Sequence, residues 1–214
     1  DDGVLYGINR HNNSLILFDR FSLQNANMVV FATSGAGKSY AVKLEVLRSL
    51  MLGIEVIVID PEMEYEHLAA AVGGTYISIS LASESKVNPF DLPRPVGQQI
   101  STEDIIRSAV ITIKGLLRIM LGTVTPVEDS ILDRALLETY AKKDITPTTD
   151  LTTAEPPVMQ DLLDVLEGMT GADTLVLKLQ KYTDGTFSGL FNSPTNVNVN
   201  NQLVIFSVRD LEDE

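Results

Sequence analysis

Apolar positions recur along this chain with two different periods, and the change between them divides it. Val4-Leu5-Tyr6-Gly7-Ile8 and Leu15-Ile16-Leu17-Phe18 flank a polar stretch, Asn9 to Ser14, and predict a β-hairpin. Met28-Val29-Val30-Phe31 is a short run with the branched and aromatic character of a buried strand. Between Ser39 and Leu52, apolar residues fall at Val42, Leu44, Val46, Leu47 and Leu50, which is helical spacing, and Gly53 supplies a C-cap signal. Ile54-Glu55-Val56-Ile57-Val58-Ile59 follows as a nearly continuous apolar strand, the pattern expected when both faces of a sheet are covered. A short helix over 66–72, a strand over 75–79 and a polar, proline-bearing loop over 80–95 come next.

From Ser101 the pattern turns helical. Ser101-Thr102-Glu103-Asp104 opens a helix to about Leu121, and Thr125-Pro126-Val127-Glu128 is a capping box with proline at the first helical position, opening a second to about Ala141. A Thr- and Pro-rich loop, Asp144 to Pro157, precedes a third helix near 158–169, and a fourth begins near Ala172. Strand pattern returns only at Gln202-Leu203-Val204-Ile205-Phe206-Ser207. Strand, helix, strand in succession implies a parallel sheet with a right-handed crossover. Helix after helix with no strand implies an all-α subdomain inserted into an α/β domain.

One turn between these elements carries chemistry. Ala32-Thr33-Ser34-Gly35-Ala36-Gly37-Lys38-Ser39 has the form A-x-x-x-x-G-K-S, a phosphate-binding P-loop (the Walker A motif), and it lies between a strand and a helix as such a loop must. Backbone N–H groups of Ser34 to Lys38 would wrap the β-phosphate, with the positive end of the helix dipole behind them. Gly35 and Gly37 allow positive φ and close approach of the ligand. Lys38 would reach the β- and γ-phosphates, and the Ser39 hydroxyl would bind Mg²⁺. The nucleotide-binding set is therefore Ser34, Gly35, Ala36, Gly37, Lys38, Ser39 and Tyr40, with ATP and Mg²⁺ as the cofactors. Ala32 stands where the strict motif has glycine, at the strand end and away from the phosphates.

The strand over 54–59 runs into Asp60-Pro61-Glu62-Met63-Glu64-Tyr65. Ligands of open α/β sheets bind beyond the carboxyl ends of the strands, so these acids emerge on the P-loop rim. Glu62 and Glu64 are accordingly candidates to orient an attacking water, and Glu62 is taken as the candidate catalytic residue beside Lys38. The alternative is that Asp60 and Glu62 cap the turn, hold a water at Mg²⁺, or contact a neighbouring subunit.

Composition narrows the class. With 214 residues, 44% hydrophobic and 21% charged, the chain has a globular composition with ample core. It has no cysteine, which removes disulfides and thiolate metal sites, and His11 and His67 are too far apart to suggest a ligand pair. A net charge of −13 disfavours a broad nucleic-acid-binding face but does not exclude DNA contact through a local basic stripe. The start, Asp1-Asp2-Gly3-Val4, is no signal peptide and reads as a piece cut from something longer.

Taken together, the P-loop, the string Asp60 to Tyr65, the hairpin with Gly7, Asn9 and Asp19, Asn25-Ala26-Asn27, and Lys181 to Phe191 followed by Thr195-Asn196 resemble a known family. It is the large cytoplasmic ATPases of type IV secretion and conjugation machines, the TraC/TrbE-like group, related to the FtsK and HerA motors. The resemblance implies an α/β fold: a RecA-like P-loop NTPase domain with a parallel β-sheet core, an N-terminal β-hairpin and an inserted all-α subdomain. The implied organisation is a first part of the core over 1–98, a helical insertion over 99–182 and a return to the core over 183–214. It also implies a homo-oligomer, a hexameric ring or a pair of such rings, that works with other type IV secretion components. Its place would be cytoplasmic, at the inner face of the bacterial inner membrane, with peripheral attachment through partners.

The family carries its Walker B strand, apolar residues ending in Asp-Glu, downstream of Glu214. The nearest string here, Val204 to Glu212, has Asp210 after a polar interruption and resembles the family's preceding strand. On that reading this piece binds nucleotide weakly and hydrolyses it poorly or not at all. The function implied is an ATP-binding and hydrolysing motor domain that energises pilus assembly or substrate transport. Two alternatives stay open: a DNA-translocating motor of the FtsK/HerA kind, and a ring module ordered by nucleotide without hydrolysis. Likewise, the segment Tyr182 to Phe191 either touches nucleotide or a partner, or packs the insertion back onto the sheet.

Overall fold

A computed structural model describes residues 3–80, 84–93, 100–185 and 188–209, with Leu190 described by its backbone alone. Thr186, Phe187 and the acids Asp210 and Glu212 lie outside the described residues. The chain divides into two compact units, one of residues 1–79 and 198–214, the other of residues 80–197. The stretches 80–98 and 183–197, which the sequence reading joined to the sheet-bearing core, group here with the helices.

The first unit opens with β1 (Val4–Ile8) and β2 (Leu15–Phe18), paired antiparallel as the hairpin pattern requires. A single 3-10 turn follows, Arg20–Ser22, capped by the Asp19 carboxylate, which accepts the Phe21 N–H. Then come α1 (Lys38–Met51), β3 (Val56–Asp60), α2 (Glu66–Val72) and β4 (Thr75–Ser78). The last strand, β5 (Leu203–Ser207), inserts between β3 and β4 and runs parallel to both. Strand alternation sorts the side chains. Val56, Val58, Tyr76, Leu203 and Ile205 share one face and pack against Val46 and Leu50 of α1 and Leu68 and Ala69 of α2. On the other face of β3, Ile57 and Ile59 are each 71% exposed.

The strand expected at Met28 to Phe31 is not formed. The segment has no ladder partner among the described residues, and Phe31 is 91% exposed. An apolar run makes a strand only when a neighbour takes its N–H and C=O groups. The parallel sheet is therefore built from β3, β5 and β4, and β3 finds its partner in β5 rather than in the segment before the P-loop.

The second unit is helical: α3 (Thr102–Leu121), α4 (Pro126–Lys142), α5 (Met159–Glu167), α6 (Asp173–Thr183) and the short α7 (Ser188–Phe191), which the sequence pattern did not announce. Ile106, Val110, Ile113, Leu117 and Leu121 of α3 recur three or four apart and are buried, against Leu132, Leu136 and Tyr140 of α4 and the apolar faces of α5 and α6. Both caps form as expected. Ser101 accepts the Asp104 N–H, and Thr125 and Glu128 exchange hydrogen bonds in a capping box. Among the described residues no helix is long and apolar enough to cross a membrane.

Hydrogen bonds to carboxylates on these helices make their stability sensitive to acid. The Thr125 N–H and hydroxyl hold the Glu128 carboxyl below its ordinary range, and hydrogen bonds from Lys114 and then Arg118 do the same for Asp129. Stability from a carboxyl held low in the folded state is present above the ordinary range and lost as pH falls through the folded value. Glu128→Gln should therefore melt below the parent at neutral pH, and the difference should close at an acid pH below the lowered folded-state value. Thermal melts followed by circular dichroism at both pH values check this.

Candidate functional site

Lys38 is the first residue of α1, and Gly37 is its N-cap, with φ 91° in the left-handed region. Gly35 is also left-handed, at φ 77°. These are the two positions where the loop needs glycine. A Cβ built at either meets no atom within 4 Å, so the backbone faces open space there. The loop closes on itself through the Ala36 N–H, which donates to the Thr33 carbonyl at 3.1 Å.

The first N–H groups of any helix lack partners within it. At α3 and α4 they meet side-chain caps and acidic residues in the first turn. At α1 there is no side-chain cap and no acidic residue in the first turn. The helix end keeps its positive dipole and exposed donors, with Lys38 and Tyr40 exposed and Ser39 half-buried. That is a fit for a phosphate. All seven residues from Ser34 to Tyr40 belong to this one loop and helix start.

Two contacts fix the direction of α1 along the sheet. The Gln202 side chain, just before β5, donates to the Leu50 carbonyl near the C-terminal end of α1. The Lys43 ammonium lies 5.1 Å from the Tyr65 ring centroid, just past the carboxyl end of β3. So α1 runs antiparallel to the strands. Lys38 stands five residues before Lys43, about 7–8 Å further along the axis. The P-loop thus lies beyond the carboxyl ends of the strands, where open α/β sheets bind their ligands.

The acidic turn is organised by its one buried member. Asp60, 1% exposed, ends β3. Its carboxylate accepts the N–H groups of Glu62 at 3.3 Å, Glu64 at 3.2 Å and Tyr65 at 2.9 Å. Of the roles open for these acids, Asp60 takes the turn cap. Glu62 is exposed on the turn, on the rim that α1 also reaches. Burial first, then the charges of Asp60 and Glu64, push the Tyr65 phenol above its ordinary range.

Sequence reasoning missed two parts of this arrangement. The Lys43–Tyr65 contact carries no local signature, since twenty-two positions separate its partners. The hairpin and the turn after it are also braced to the P-loop helix: Arg48 donates to the Leu5 carbonyl, and Arg20 pairs with Glu45 at 3.0 Å. Only the acidic turn had a readable sign, an aspartate at a strand end followed by proline. In the described part of the segment Tyr182 to Phe191, and just after it, the hydrogen bonds stay within the helical unit: Tyr182 donates to the Met120 carbonyl and Asn192 to that of Thr183.

Residues 16–214 match the family described as the TraG P-loop domain. The chain belongs to that family. VirB4 of Thermoanaerobacter pseudethanolicus is a similar solved structure, with 30% identity and a TM-score of 0.78 over 99% of this chain and 58% of that one. No curated protein matches. This TraG P-loop domain therefore spans a little over half the length of that VirB4. The resemblance to type IV secretion and conjugation ATPases and the α/β fold class both stand on these matches.

Proposed function

We propose that this TraG P-loop domain binds ATP with Mg²⁺ at the head of α1. In the full-length protein it would hydrolyse ATP to energise pilus assembly or substrate transport in a type IV secretion or conjugation system. The observation that carries this reading is the uncapped, acid-free and open start of α1, formed by the P-loop residues themselves. Bound Mg²⁺-ATP would supply the transferable phosphoryl group and a cation that offsets its charge. The backbone N–H groups of Ser34 to Lys38 would cradle the phosphates, Lys38 would neutralise charge on the β- and γ-phosphates, and the Ser39 hydroxyl would hold the metal. Tyr40 would flank the nucleotide, and Glu62 is this chain's candidate for orienting water. Similarity to VirB4 supports further proposals: a homo-oligomeric, hexameric ring, partners among other secretion components, and a place at the inner face of the bacterial inner membrane.

Crystals soaked with ADP or sulfate test the site. The expected result is an anion on the N–H groups of Ser34 to Lys38. A loop free of anion at saturating nucleotide, with Lys38 turned to solvent, would count against it. DNA-stimulated turnover by the full-length protein would favour a DNA-translocating motor, and absence of any turnover would favour the non-hydrolysing ring.

A further inference from the structure

The turn after β3 and the P-loop helix meet at a contact that the nucleotide chemistry above does not use. Tyr65 is held from two sides. Its N–H donates to the buried Asp60 carboxylate at 2.9 Å, and its ring takes the half-buried Lys43 ammonium at 5.1 Å. A cation over an aromatic face within about 6 Å is attracted to the ring quadrupole, more strongly as water is excluded. Lys43 is on the helix whose first residue is Lys38, and Tyr65 ends the turn that carries Glu62 and Glu64. Within that turn Met63 is left-handed at φ 56°, a conformation that a residue with a side chain keeps only when its neighbours hold it. The neighbours do so here, because Asp60 takes the N–H groups on both sides of Met63.

We propose that Tyr65 is a positioning residue that couples the nucleotide-binding head of α1 to the acidic turn after β3, through Lys43 on one side and Asp60 on the other. The proposal rests on nucleotide binding at the P-loop. Anything that shifts the head of α1 on binding is passed through the Lys43–Tyr65 contact to the backbone of Glu62 to Tyr65. By linkage the turn acts back on nucleotide affinity by the same factor. The aromatic ring carries the coupling and the phenol oxygen does not, so phenylalanine at this position should serve and leucine should not. Arginine should replace Lys43, since a guanidinium also lies well over an aromatic face, whereas methionine keeps the stem and loses the charge.

The chain has no cysteine, so a single one can be introduced and labelled. His67, exposed in the first turn of α2, is two residues past Tyr65. A His67→Cys chain carrying an environment-sensitive dye is titrated with MgADP, and binding is measured separately by calorimetry. The parent, Tyr65→Phe and Lys43→Arg should show a saturable change in emission. Tyr65→Leu and Lys43→Met should lose most of that change and bind MgADP about threefold to fivefold more weakly. Tyr65→Leu and Lys43→Met variants with lowered melting temperatures but the parent's dye response and MgADP affinity would overturn the coupling and leave a structural contact. A parent that binds MgADP without any dye response overturns the coupling alone. A parent that binds no MgADP overturns both the coupling and the nucleotide reading.

Discussion

Lys38→Ala in the full-length protein is expected to lower ATP turnover by about 10²–10³-fold, the usual effect of removing one preorganised charge-stabilising donor from a transition state. The side chain is exposed at the first position of α1 and makes no ion pair or hydrogen bond among the described residues. Alanine is also the better helix former, so the fold should be kept. The loss should therefore appear in catalysis and in nucleotide affinity without a fall in melting temperature. Phosphate release under single-turnover and steady-state conditions, beside a thermal melt, decides the matter. Turnover within threefold of the parent would mean that the charge on the transferring phosphoryl group is met by other residues.

Asp60→Ala should be the most damaging single change in the acidic turn, at about 3 kcal/mol of stability. A hydrogen bond to a charged group is worth about 1.5–3 kcal/mol, and leaving a buried donor unpaired costs about 1–3 kcal/mol. Asp60 serves three N–H groups, so the estimate counts water reaching some of them. Asp60→Asn keeps one acceptor oxygen and should lose about half as much. Glu62→Gln, on the exposed part of the same turn, should stay within about 0.5 kcal/mol of the parent. Urea denaturation of the three variants gives the ranking. If Asp60→Ala and Glu62→Gln were equally mild, the buried carboxylate would not be what holds the turn.

The elements that could be read along the chain are those whose cause is local. Ser101 and Thr125 announce α3 and α4 because a cap is made within four residues of itself. The P-loop was legible for the same reason: Gly35, Gly37, Lys38 and Ser39 act through one loop and the helix that follows. The apolar strands over 54–59 and 75–79 showed their pattern, but pairing is not local. Residues 203–207 enter between β3 and β4 after more than a hundred intervening positions, and nothing near Val56 or Thr75 says so. Met28 to Phe31 shows the converse, a strand-like pattern without a ladder, because hydrogen-bond partners come from elsewhere in the fold. Asp60 and Glu62 looked alike as acids on a rim. Only the tertiary structure separates them, since burial decides whether a carboxylate binds backbone N–H groups or faces water, and burial depends on what packs above the strand end. The sequence by itself determined the phosphate-binding loop and the helical stretches. Chain folding decided which residues brace that loop, Lys43 against Tyr65 and Glu45 against Arg20, because an ion pair or a cation over a ring forms only where distant segments meet.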